Sequence, residues 1–229
     1  MSISWIVASQ PQILLNVHII PFVRGELLRR AVASSPGAVG IGVDNSVDML
    51  SAWPDYNKSP GVTPVDSDLE EYIDTFLSKG EAEECFDVIF CVGALPAGKQ
   101  RNTIQKLRCM LKPSGALVIG ELIWVSGPPS SEFIDNVGVS PTDYCSLEEL
   151  KTALRGDHSP PECEVIAAHT VSVEKYETQL LENVQNWALL NSDDEDAEKI
   201  LSVSLAWNDF GRRVAWNTWE FSTVVARRC

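Results

Sequence analysis

The chain is short of positive charge. Its 229 residues carry 18 Lys and Arg against 32 Asp and Glu, a net charge of −14. A sequence-independent grip on nucleic acid needs a basic face that displaces phosphate counterions, so that class of function is set aside and a small-molecule partner is the easier one to accommodate. Long apolar runs are missing too. No stretch approaches the roughly 18 consecutive apolar residues of a membrane span, and the first residues lack the basic segment and apolar run of a secretory signal. The expectation is a chain with no membrane partner, in the cytoplasm. Cys85, Cys91, Cys109, Cys145, Cys163 and Cys229 form no C-x-x-C and have no His close by, which excludes a zinc pattern; they read as free thiols in a reducing compartment, and no metal site is expected. No G-x-S-x-G elbow is present for a serine nucleophile. The three histidines, His18, His158 and His169, are isolated and read as structural. The absence of a G-x-G-x-x-G turn argues against a nicotinamide-dependent dehydrogenase.

What is present becomes legible between Phe86 and Trp124. Asp87 to Val92 is a short apolar run opened by an acid and closed by Gly93, as expected of a strand covered on both faces. From Gln100 to Leu111 the spacing of Ile104, Leu107, Arg108 and Leu111 predicts a helix, with Lys112-Pro113-Ser114-Gly115 as its stop. Ala116 to Gly120 is a second apolar strand, followed at once by Glu121. Strand, helix and strand in this order imply a parallel pair with a right-handed crossover.

The flanking chain continues the alternation. Ile13 to Ile20 reads as a first strand, Pro21 to Gly25 as a turn, Glu26 to Ala33 as a helix, and Val39 to Asp44 as a strand ending in an acid. Val62 to Asp66 is a third strand, necessarily at an edge because Pro64 donates nothing to a ladder, and Leu69 to Leu77 is a helix. Asp44 lies 19 residues after Gly25. A spacing of about 20 suits a nucleotide site, in which a turn approaches the cofactor and an acid on the next strand accepts its ribose hydroxyls; a plain strand-end acid is the alternative. Ser146 to Leu154 reads as a capped helix and Glu162 to Val173 as a sixth strand. On the helix Val173 to Leu190 the stripe Val173, Tyr176, Leu180, Val184 and Trp187 points inward. A further helix turns Ala197, Ile200, Leu201, Leu205 and Trp207 inward, and Trp219 to Ala226 is the last strand. The length suits one domain, residues 1–229.

Leu111-Lys112-Pro113-Ser114-Gly115, the following strand and Glu121 resemble the "LKPGG, strand, acid" segment of class I S-adenosylmethionine-dependent methyltransferases, with Ser114 where a Gly is usual. Phe86 to Cys91 resembles their "FDLVxC" strand. Gly25 to Arg29 and Gly42 to Leu50 resemble "GELLR" and "GVDxSxxML", so the likeness covers residues 13–126. Glu121-Leu122-Ile123-Trp124 with Pro128-Pro129 is similar to the "GEPYW … PP" loop of a small-molecule subset. The resemblance implies an α/β, Rossmann-like fold with a seven-stranded, mostly parallel sheet, order 3-2-1-4-5-7-6, helices on both faces, and a helical insertion at 174–210. It implies S-adenosyl-L-methionine as cofactor, held by Gly25, Asp44, Asn45, Asp66, Cys91 and Gly93. Trp124, Tyr176 and Trp187 then border a small-molecule acceptor. For Asp66 and its neighbour Asp68, adenine recognition and helix capping are equal alternatives; for Trp124, so are a pocket wall and a packed core ring.

One departure bears on activity. The family's first motif is an acid and a Gly-x-Gly-x-Gly turn, and on this spacing the acid falls at Ile19 and the first two glycines at Pro21 and Val23, leaving Gly25. A β-branched Val adds bulk where the backbone must approach a cofactor closely. Three readings stand open: an enzyme with a rebuilt loop, a catalytically silent methyltransferase-like binding protein, or a misassigned N-terminus.

Overall fold

A computed structural model describes residues 12–17, 26–46, 50, 60–79, 85–127 and 129–229. The expected turn from Pro21 to Gly25, and His18, lie outside the described residues. In chain order the elements are β1 (Gln12–Val17), α1 (Glu26–Ser34), β2 (Val39–Asp44), β3 (Val62–Asp66), α2 (Leu69–Ser78), β4 (Phe86–Val92), α3 (Gln100–Met110), β5 (Leu111–Trp124), α4 (Ser131–Val137), α5 (Leu147–Arg155), β6 (Cys163–Ser172), α6 (Val173–Leu190), α7 (Ala197–Phe210), a π-helical turn (Gly211–Ala215) and β7 (Trp219–Arg228).

Among the described residues the strands form one sheet in the order β3-β2-β1-β4-β5-β7-β6. The first five are mutually parallel, and β7 runs antiparallel to both β5 and β6. The α/β class and the mostly parallel sheet are as the sequence leads one to expect. Pro64 sits opposite Gly42 on β3, which pairs on one side only, so the missing N–H costs no ladder bond there.

Alternation along the strands sorts the core into two faces. Ile89 and Cys91 of β4, with Leu117, Ile119 and Ile123 of β5, pack with Leu69 and Ile73 of α2, Ile104 and Leu107 of α3, and Leu150 and Leu154 of α5. Val88 and Phe90, the intervening residues of β4, pack on the other face with Leu28 of α1. Leu122 and Trp124 keep the even parity of Val118, which stands opposite Phe90 in the register, and join Phe133, Val173, Phe210, Ala215 and Trp219 in a second cluster. Arg108 is buried as its helical spacing requires; one guanidinium nitrogen reaches Leu154 O at the end of α5, and the other lies 3.4 Å from Glu162.

Several boundaries differ from the expectation. β5 starts at Leu111, not Ala116, because Leu111 pairs with Phe86 and an irregularity between Phe86 and Val88 absorbs the intervening residues. Lys112 to Gly115 therefore form a bulge within the strand rather than a helix stop. Helix α4 has no stripe to announce it: it is seven residues long, buries Phe133, and is bounded by the Ser130 cap and left-handed Gly138. The inward stripes expected on α6 and α7 are only partly covered. Val173 and Ala188 are buried on α6, while Tyr176, Trp187, Ile200, Leu205 and Trp207 remain exposed, because the two helices pack chiefly on each other and α6 meets the sheet at β6 and β7. No helix among the described residues is long and apolar enough to cross a membrane.

Ser114 adopts φ +66°, the left-handed region, where its relatives by resemblance carry Gly. Ser114→Gly should raise stability by about 0.5–1 kcal/mol in urea unfolding, relief of strain exceeding the added chain entropy of the unfolded state. A loss of stability of that size would contradict the strain.

Candidate functional site

In a sheet of this order the winding reverses between β1 and β4, and the crevice that such a reversal opens lies at the carboxyl ends of the strands. There Asp44 and Asp66 are register partners, the last residues of adjacent parallel strands. Asp44 is half-buried, and its Oδ1 accepts the Ser46 N–H at 2.8 Å just past the end of β2. Asn45 is exposed beside it. Of the two acids for which adenine recognition and helix capping stood open, Asp68 is the N-cap of α2, accepting from the Glu70 and Glu71 N–H groups, and Asp66 is exposed at the end of β3.

On the other side of the reversal, Val17 at the end of β1 pairs with Val92. Cys91 is fully buried, and burial pushes its thiol well above the ordinary range, so it is a packing group and not a thiolate nucleophile. Gly93 follows with φ +61° and donates its N–H to Gly120 O at 2.6 Å, turning the chain as it leaves β4 beside β5. Gly25, the remaining cofactor residue by resemblance, lies outside the described residues.

Glu121 is the residue that sequence reasoning noted as a motif mark and did not assign to the site. It is 1 % exposed. Its Oε1 accepts the Leu122 N–H at 2.9 Å and its Oε2 the Leu95 N–H at 3.3 Å, the latter from the loop that opens at Gly93. Burial lifts its carboxyl from 4.5 to about 7, the two backbone hydrogen bonds opposing the rise. Cys91, Tyr144 and Cys145 lie within its field. The signal available in the sequence was a lone carboxylate inside an otherwise apolar run, Ala116 to Trp124.

The three aromatic residues expected on the acceptor side are not brought together. Trp124 is 6 % exposed, donates Nε1–H to Pro141 O, stacks on Trp219 at 6.4 Å between centroids and meets Phe133 and Tyr144 edge-on. Tyr176 and Trp187 lie on α6, 44 % and 36 % exposed, and Trp124 has no ring contact with either. Trp219 Nε1 and Asn208 Nδ2 are buried with no hydrogen-bond partner among the described residues. His158 is exposed with its Nε2 3.1 Å from a Glu162 oxygen, and His169 is an exposed residue of β6. Among the described residues no group of three His, Cys, Asp or Glu is arranged to hold a metal.

No family model matches the chain. An uncharacterised protein of Escherichia coli K12, YjhP, is 32 % identical over 121 residues, which are 52 % of this chain and 48 % of YjhP, so the chain matches about half the length of this curated relative. The solved structure of YjhP is similar with a TM-score of 0.61 at 22 % identity, over 96 % of this chain and 86 % of that one. An S-adenosylmethionine-dependent methyltransferase of Geobacter sulfurreducens, in complex with S-adenosylhomocysteine, gives a TM-score of 0.66 at 20 % identity over 96 % and 86 % of the two chains. Phosphoethanolamine N-methyltransferase 2 of Haemonchus contortus, with phosphomonomethylethanolamine and S-adenosylhomocysteine, gives 0.68 at 16 % identity over 96 % and 50 %. At these identities the likeness is one of fold.

A group whose folded pKa is raised stabilises the fold fully below its unfolded value, and that contribution is lost as pH rises through the folded value. For Glu121 the window runs from 4.5 to about 7. Chemical denaturation should therefore show wild type losing about 3 kcal/mol relative to Glu121→Gln between about pH 4.5 and about pH 8. A difference that stays constant with pH would contradict a carboxylate buried in this way.

Proposed function

We propose that the chain is an S-adenosylmethionine-dependent methyltransferase acting on a small molecule, built as a single unit with a helical insertion at 174–210 and working in the cytoplasm. The observation that carries this reading is the level pair Asp44 and Asp66 on adjacent parallel strands beside the reversal of the sheet. In this reading Asp44 accepts the ribose hydroxyls, Asn45 lies beside it, and Asp66 receives the adenine amino group. Gly25 and Gly93 allow the backbone to approach, with Cys91 packed beneath. Trp124 borders the acceptor region from β5, and Tyr176 and Trp187 border it from the helical insertion. The bound forms of the methyltransferases from Geobacter sulfurreducens and Haemonchus contortus, similar in fold, support the choice of cofactor.

Bound S-adenosylmethionine would supply a methyl group on a sulfonium, already activated as a leaving group. The chain's own task is then to align donor and acceptor and exclude water, and a general base is not a requirement.

Calorimetric titration with S-adenosylhomocysteine should show micromolar binding, and NADH none. Asp44→Ala should weaken the interaction by about 2 kcal/mol, roughly thirtyfold, for the loss of charge-assisted hydrogen bonds. Equal affinity in that variant removes Asp44 from the site. A folded wild type that binds no S-adenosylhomocysteine contradicts the reading and favours the silent binding protein to which Pro21 and Val23 point.

A further inference from the structure

The loop that leaves β4 is tied to β5 at two successive residues. Gly93 N–H reaches the backbone of Gly120, and Leu95 N–H reaches the side chain of Glu121. The first tie is made by backbone alone and survives any side-chain change. The second depends on one carboxylate, which is 1 % exposed and has no ion-pair partner among the described residues. A carboxylate so placed destabilises the fold at neutral pH relative to a neutral isostere, and residues that do so in a crevice are candidates for a role beyond packing.

Resting on the methyltransferase reading, we propose that Glu121 is a positioning residue of the cofactor site, whose carboxylate holds the loop from Gly93 to Leu95 in the conformation that receives the methyl donor. The groups that face it are the Cys91 thiol from β4, the Tyr144 hydroxyl and Cys145 thiol from the segment before α5, and the Leu95 and Leu122 N–H donors; Ser222 of β7 is its register partner. The ionised group accepts from both N–H donors at once. Protonation turns one oxygen into a donor and leaves a single good acceptor for two N–H groups, so the distal one, Leu95, is released first. The local and slightly shorter bond to Leu122 persists. Proton uptake thus loosens the loop without unfolding the sheet, and the midpoint falls near neutrality, where burial has moved the Glu121 carboxyl.

The test is hydrogen exchange of residues 92–98 in the ligand-free protein, corrected for intrinsic rates, from about pH 5.5 to about pH 8.5, in wild type and Glu121→Gln. Calorimetry with S-adenosylhomocysteine over the same range accompanies it. Protection at the loop in wild type should fall about fivefold on acidification, the value of one net hydrogen bond, and should be low and pH-independent in the Gln variant. Affinity should follow the same two profiles. Wild type also tests itself without a variant, since binding near neutrality should release a fraction of a proton, read from buffers of different ionisation enthalpy. Identical exchange and identical binding profiles in the two proteins would overturn the proposal. A loop that loosens as expected, in a protein that binds no S-adenosylhomocysteine at any pH, upholds the tie and overturns the methyltransferase reading alone.

Discussion

Parallel pairing of β1 with β2 on one side and β4 on the other is the constraint on which the rest of the molecule depends. It brings the last residues of the strands level, Asp44 against Asp66 and Val17 against Val92. Each chain segment that leaves these ends must then turn in a small space, and the turns carry the polar groups that the apolar strands cannot. The strands themselves are covered on both faces, as the clusters above and below β4 show, so that in a sheet of this order the open ground lies at their carboxyl ends.

Glu121 is the exception to that division of labour. It sits on the apolar face of β5 with Leu117, Ile119 and Ile123, four residues that alternate strictly on one side of the strand. An apolar residue there would pack with Cys91 at no electrostatic cost. The carboxylate instead spends folding stability to tie the loop after β4, the kind of local sacrifice found where a site must be held in one arrangement.

The strands of the central stretch were legible because continuous apolar runs bounded by Gly and acid have few other uses in an α/β chain, and β4 and β7 appear close to where those runs lie. The start of β5 was not, since Lys112-Pro113-Ser114-Gly115 has the composition of a turn and only its pairing partner, Phe86, makes it part of a strand. The stripes on α6 and α7 were only partly right: Val173 and Ala197 are buried, but Tyr176, Trp187, Ile200, Leu205 and Trp207 are exposed, because periodicity reports which residues share a side and exposure depends on the neighbour. The same limit applies to the site. Asp44 could be nominated from its spacing to Gly25, whereas the capping role of Asp68 depends on where α2 begins, and Glu121 acquires its burial and its Leu95 contact only from the meeting of two strands and a loop.

The most direct test of the central claim is a crystal structure of the protein grown with S-adenosylhomocysteine. The account predicts the adenosyl group over the carboxyl ends of β1, β2 and β4, its ribose hydroxyls on Asp44, its adenine beside Asp66, and its thioether against the loop that begins at Gly93. A ligand seated elsewhere, or in the crevice with its ribose turned away from Asp44, would contradict it.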